Sequence, residues 1–198
     1  MTLIKICGIT RHEDAVLAVE LGADFLGFIF VPESPRYVTA GRVREMMASG
    51  AVVKRRLMPP HSKTVGVFRG ASAEEINDVA TAAGVDYVQI HGTPPDGVRF
   101  PVIHAFHVQG SLPDTTTTAE YVLFDTGGGT GRTFDWTLLE RWPRTKPFFL
   151  AGGLTPDNVA GAIRAGRPDA IDLSSGIESA PGIKDHHKMK TLFERVKR

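Results

Sequence analysis

Short apolar runs, each bracketed by turn residues, recur along the chain, and three of them open segments that share one plan. In the first, Ile4-Lys5-Ile6-Cys7 leads into a helical stretch and then Gly22-Ala23-Asp24-Phe25-Leu26-Gly27-Phe28-Ile29. In the second, Thr64-Val65-Gly66-Val67-Phe68 leads into a helical stretch and Gly84-Val85-Asp86-Tyr87-Val88-Gln89-Ile90. In the third, Phe148-Phe149-Leu150-Ala151 leads into a helical stretch and Gly166-Arg167-Pro168-Asp169-Ala170-Ile171-Asp172-Leu173. Each reads strand, helix, glycine, strand. The glycine suits a left-handed helix C-cap, where a Cβ is penalised. Thr10 with Glu13, and Ser72 with Glu75, have the spacing of capping boxes, and Thr155-Pro156 predicts an N-cap followed by proline in the first helical position. Ile76, Val79, Ala80 and Ala83 recur at helical spacing, as do Val159, Ala162, Ile163 and Gly166. The strands are apolar on both faces, which is the pattern of a parallel sheet covered by helices.

Continued along the chain, the pattern predicts about eight strands, near 3–7, 25–30, 64–68, 87–90, 102–106, 121–125, 148–151 and 170–173. Eight is the number that closes a (β/α)8 barrel. Helices are expected after most of them. The stretches Thr93-Pro94-Pro95-Asp96-Gly97 and Gly110-Ser111-Leu112-Pro113-Asp114, after strands four and five, are too rich in turn formers for a full helix. An amphipathic helix over 184–196 closes the chain. An open doubly wound sheet has the same local signals. The strand count, and the lack of a nucleotide fingerprint after the first strand, favour the barrel. No linker or low-complexity stretch interrupts the pattern, so 1–198 is read as a single α/β domain, a (β/α)8 barrel with shortened helices after strands 4 and 5.

Composition narrows the function classes. The 198 residues are 42% apolar and 23% charged, with a net charge of +1, a globular balance without the basic field that a nucleic acid or an anionic membrane attracts. The single cysteine, Cys7, rules out an internal disulfide. No apolar run approaches the ~20 residues of a membrane span, and the N-terminus lacks the apolar core of a signal peptide. A soluble, cytoplasmic protein that binds neither nucleic acid nor membrane is expected.

In such a barrel the chemistry lies at the C-terminal ends of the strands. Strand one ends at Cys7 and strand four at Gln89-Ile90-His91-Gly92. Strand six ends at Asp125, followed by Gly127, Gly128, Gly129, Thr130 and Gly131. Strand seven ends at Gly152-Gly153, and strand eight at Ser174-Ser175-Gly176. Taken singly, these glycines need only make tight turns, Asp125 needs only a local turn bond, and a lone cysteine is usually an inert hydrophobe. Taken together they suggest more. Uncovered backbone N–H groups ahead of helices suit a phosphate, and the loops after strands seven and eight are the usual place for one in a barrel. Asp125 would be a pocket carboxyl beside a mobile glycine lid. The glycine run is no Walker motif, because Thr126 stands for its first glycine and Arg132 for its lysine. Lys5 and Cys7 share strand parity, so the ammonium is expected to lower the thiol pKa. His12 and the His186-His187 pair lack metal-ligand spacing, and no metal is expected.

Lys5-Ile6-Cys7-Gly8-Ile9-Thr10 resembles the opening motif of the phosphoribosylanthranilate isomerase family. So do Ser34-Pro35-Arg36-Tyr37-Val38, Val88-Gln89-Ile90-His91-Gly92, Gly128-Gly129-Thr130-Gly131-Arg132-Thr133-Phe134-Asp135-Trp136, Leu150-Ala151-Gly152-Gly153-Leu154, Asp172-Leu173-Ser174-Ser175-Gly176-Ile177-Glu178 and Pro181-Gly182-Ile183-Lys184-Asp185, in order over nearly the whole chain. The resemblance implies a cofactor-free TIM barrel acting on a phosphorylated small molecule, as monomer or homodimer. The implied reaction is an Amadori rearrangement in tryptophan biosynthesis, with Cys7 as general base and Asp125 as general acid. It implies substrate contacts at Arg36 (near the anthranilate end), Gln89 and His91, and a phosphate site of Gly152, Gly153, Asp172, Ser174, Ser175 and Gly176. The basic stretch 54–61 and an extra glycine, Gly127, depart from the family pattern. Two alternatives are a histidine-pathway aminoaldose isomerase, which has aspartate where this chain has Cys7, and a non-catalytic barrel that binds phosphometabolites.

Overall fold

Eight parallel strands close on themselves in chain order, the last pairing with the first. They are β1 (Leu3–Ile6), β2 (Phe25–Ile29), β3 (Lys63–Arg69), β4 (Tyr87–His91), β5 (Val102–His107), β6 (Tyr121–Asp125), β7 (Phe148–Leu150) and β8 (Ala170–Leu173). This computed structural model describes residues 2–48, 62–127 and 131–196. The basic stretch 54–61, and Gly128, Gly129 and Thr130 of the expected glycine lid, lie outside the described residues.

Helices α1 (His12–Leu21), α2 (Ala40–Ala48), α3 (Ala73–Ala83) and α4 (Val159–Gly166) lie between strands, and α5 (His186–Val196) closes the chain. No regular helix occurs between β4 and β5 or between β5 and β6, as the proline- and glycine-rich segments predict. After β6 the described residues hold one 3₁₀ helix, Trp136–Arg141. An antiparallel hairpin of β9 (Glu178–Ala180) and β10 (Ile183–Lys184), which the hydrophobic pattern does not predict, follows β8. Among the described residues, no helix is long and apolar enough to cross a membrane.

Local signals hold where nothing tertiary competes. Ser72 and Glu75 form both halves of their capping box, at 3.2 and 2.8 Å. Thr10 and Glu13 do not. Helix α1 starts after Arg11, and the Thr10 hydroxyl donates instead to Gly182 O in the β9–β10 turn. Regular α4 begins at Val159, later than Thr155-Pro156 suggests; Asn158 accepts from Thr155 N at 2.8 Å and donates to Gly153 O at 2.9 Å. Gly166 is the last residue of α4 rather than its left-handed cap, a role that falls to Arg167. A Cβ at Gly166 would stand 3.0 Å from Leu139 and 3.3 Å from Leu150, so close packing explains that glycine.

Two apolar clusters divide the core. The larger lies between barrel and helices, and the smaller fills the lower barrel interior with Phe25, Val65, Ile103, Leu123 and Phe149, joined by Tyr87 and Tyr121. Phe25, Tyr87, Tyr121 and Phe149 close a ring of edge-on aromatic contacts with centroid separations of 5.2–6.1 Å. Because side chains alternate along a strand, the inward series continues upward to Lys5 on β1 and Cys7 just past its end, Gln89 and His91 on β4, Asp125 on β6 and Asp172 on β8.

Candidate active site

Above the aromatic floor a cavity of about 1030 Å³ opens at the C-terminal ends of the strands, and both Cys7 and Asp125 line it. Gly27 makes room for Cys7, since a Cβ there would stand 2.8 Å from the sulfur. Cys7 is free and buried. Burial raises its pKa, and the nearby Lys5 and Lys184 only partly oppose that. This corrects the expectation of a lowered value. A thiolate loses more on leaving water than the two ammonium groups return, since Asp172 shares the Lys5 one. Burial also raises the Asp125 carboxyl, and Asp172 adds to the effect. Its register neighbour on β5 is His107.

Lys5 is wholly buried in the barrel centre. It donates to Asp172 Oδ2 and to Gln89 Oε1, both at 2.9 Å. Burial works against its charge, but Asp172 and Cys7 outweigh it and hold the ammonium above its ordinary pKa. Gln89 and His91 are joined through Gln89 Nε2 and His91 Nε2 at 2.9 Å. Burial, with Lys5, Arg69 and His107 adding to it, lowers the His91 pKa to about 4. Asp172, grouped with the phosphate loops on sequence, is placed by the structure at the barrel centre as the partner of Lys5. Its other oxygen, Oδ1, is buried with no partner among the described residues.

Arg36, from the loop after β2, reaches the same cavity and grips Glu178 with two nitrogens, at 2.9 and 2.7 Å. Lys184 donates to Oε1 of the same carboxylate at 2.8 Å. Burial alone would raise the Glu178 pKa, but Arg36 and Lys184 together lower it. The β9–β10 hairpin is fastened further by buried Asp14, which accepts from Arg11, His186 and Lys184 N. Sequence reasoning missed Glu178 and Lys184 as site groups, although both lie in the motifs quoted above. The link of Glu178 to Arg36 spans 142 residues, and no local spacing announces it.

The loops after β7 and β8 meet backbone to backbone. A Cβ on Gly176 would collide with Leu154 O, and one on Gly153 would fall 2.6 Å from the Arg132 backbone. Gly152, Gly153, Ser174, Ser175 and Gly176 all line the cavity, with the Ser174 hydroxyl buried and unpartnered among the described residues. After β8 the expected helix is a 3₁₀ turn of three residues, Ser175–Ile177.

Comparison with known proteins agrees with this arrangement. The profile of the family described as N-(5'phosphoribosyl)anthranilate (PRA) isomerase matches residues 4–195. An N-(5'-phosphoribosyl)anthranilate isomerase of Pseudomonas fluorescens is 42% identical over 98% of this chain and 97% of its own length. The crystal structure of phosphoribosyl anthranilate isomerase from Thermus thermophilus superposes with a TM-score of 0.87 at 34% identity, covering 99% of this chain and 98% of that one. A further phosphoribosyl anthranilate isomerase, solved in complex with reduced 1-(o-carboxyphenylamino)-1-deoxyribulose 5-phosphate, superposes with a TM-score of 0.82 at 36% identity, covering 100% and 99%. A match that runs the full length of the barrel, strand ends included, means that the chain belongs to the N-(5'-phosphoribosyl)anthranilate isomerase family.

Proposed function

We propose that this cavity isomerises N-(5'-phosphoribosyl)anthranilate to the 1-deoxyribulose 5-phosphate derivative, with Cys7 as general base and Asp125 as general acid. The observation that carries the assignment is a single cavity lined by a lone thiol, a carboxyl with raised pKa and the two glycine-serine loops. The aldose must first open. Asp125 gives its proton to the ring oxygen as the C1′–O bond breaks, and the anthranilate nitrogen supplies the electron pair of the new C1′=N bond. The Cys7 thiolate then takes the C2′ proton. The C–H electrons form C1′=C2′ and neutralise the iminium, giving an enolamine that tautomerises to the ketone. The substrate's own imine is the electron sink, and all the groups come from one chain.

The phosphate is assigned to the backbone N–H groups of Gly153, Ser174, Ser175 and Gly176, with the Ser174 hydroxyl, unpartnered among the described residues, as a further donor. Arg36, fixed by Glu178, is assigned to the anthranilate end, and His91 to a substrate oxygen.

Turnover, followed by loss of substrate fluorescence across pH, tests the assignment. Burial raises the pKa of both groups, and the thiol lies above the carboxyl. The productive form pairs thiolate with neutral carboxyl, a minority species at every pH. The expected profile is a bell whose acid limb follows Asp125 and whose alkaline limb follows Cys7, each above its ordinary value. Asp125→Asn should cost most of the rate and abolish the alkaline fall, leaving activity that rises with pH until the Cys7 thiol ionises. No turnover of this substrate would overturn the function. A profile unchanged in Asp125→Asn would overturn the acid assignment.

A further inference from the structure

The polar chain across the barrel fixes a proton position that no single contact reveals. An ammonium has only donors. The Gln89 atom 2.9 Å from Lys5 Nζ is therefore the oxygen, and the Gln89 atom 2.9 Å from His91 Nε2 is the NH₂ group. An NH₂ donor at that distance requires His91 Nε2 to be unprotonated. A neutral imidazole with a bare Nε2 carries its proton on Nδ1. Among the described residues no hydrogen bond engages His91 Nδ1, and His91 lines the cavity.

We propose that Lys5 and Gln89 are positioning residues that lock His91 as a neutral Nδ1–H donor to an acceptor oxygen of the bound substrate. The inference rests on the proposed reaction only for what this donor meets; the proton position is a property of the free enzyme. Gln89, grouped with the substrate contacts on sequence, is 3% exposed and has both ends of its amide engaged, so it acts through His91. Lys5 is held in place from the other side by Asp172.

The surroundings favour the same state. The groups facing His91 are Lys5 on β1, Arg69 on β3 and His107 on β5, all of which disfavour an imidazolium, as does burial. Asp172, the nearest anion on this chain of contacts, is taken up by Lys5. A neutral His91 gives direction to a hydrogen bond without competing with Asp125 as proton donor.

Long-range ¹H–¹⁵N correlation of the free enzyme at pH 7 reads the tautomer directly. The chain has seven histidines, and the His91 signals are those lost in His91→Asn. The expected result is a protonated Nδ1 and a bare Nε2. Gln89→Leu should reduce that preference by about fivefold, the worth of one hydrogen bond. An Nε2–H tautomer, an imidazolium at pH 7, or an unchanged preference in a folded Gln89→Leu protein would each overturn the proposal. If Gln89→Leu fails to fold, the wild-type spectrum still decides the tautomer.

Kinetics then test the donor. Asparagine can place an N–H close to the Nδ1 position, and glutamine places one at Nε2. His91→Asn should keep kcat/KM within about tenfold of wild type, and His91→Gln should lose roughly tenfold more than that. The reverse order would overturn the donor role. A wild type that shows the Nδ1–H tautomer but no turnover would instead count against the proposed reaction.

Discussion

The lower and upper halves of the barrel interior are made by the same eight strands, stacked along the inward-facing positions of each. The lower half is a closed ring of aromatic edges on a floor of Val65, Ile103 and Leu123. Its stability comes from apolar area removed from water and from packing, and none of those aliphatic and aromatic ring surfaces needs a partner of a particular charge. The upper half buries Lys5, Asp172, Gln89 and, beside them, Cys7. There each group is tolerable only because another holds it: Asp172 and Gln89 satisfy Lys5, and Arg36 and Lys184 satisfy Glu178. The comparison teaches that a dry, rigid floor lets a costly polar layer sit above it, where low dielectric makes each charge count for more.

Substitutions in the two halves should therefore fail in different ways. The largest effect is expected at the top. Cys7→Ser and Asp125→Asn should each lower kcat by on the order of 10²–10⁴ with KM and thermal stability little changed. A serine variant with near-normal kcat would remove Cys7 from the chemistry. Next comes the floor. Phe149→Ala opens the aromatic ring and should cost about 3–5 kcal/mol in denaturant unfolding, while kcat, measured well below the melting temperature, changes by less than about threefold. A large kcat loss in the folded variant would mean that the floor shapes the site and does not merely support it. The smallest effect is expected at the rim. Glu178→Gln leaves Arg36 without its paired carboxylate and should raise KM by roughly tenfold with a smaller change in kcat. Equal loss in kcat would move Arg36 from binding to the reacting centre.

Gly153→Ala tests less than its place in a phosphate loop suggests. Gly153 adopts a φ of +61°, and a Cβ there meets the Arg132 backbone, so the variant disturbs the loop whether or not phosphate binds. Ser174→Ala, which removes a hydroxyl unpartnered among the described residues, is the cleaner probe of inorganic phosphate inhibition.

What the sequence determined by itself was whatever depends on neighbours along the chain. The eight apolar runs, the Ser72–Glu75 box and the placement of Cys7, Asp125 and the glycine-serine loops at strand ends are all local, because strand parity and cap spacing are set within a few residues. Tertiary structure decided the rest. Thr10 leaves its expected cap for a carbonyl in the hairpin, and Gly166 serves helix packing where a C-cap was expected. Burial raises the Cys7 pKa despite Lys5, whose ammonium is bound to a carboxylate 167 residues away. Desolvation and ion pairing depend on which groups the closed barrel brings together and how much water it removes. Both are properties of closure, and no short stretch of sequence carries them.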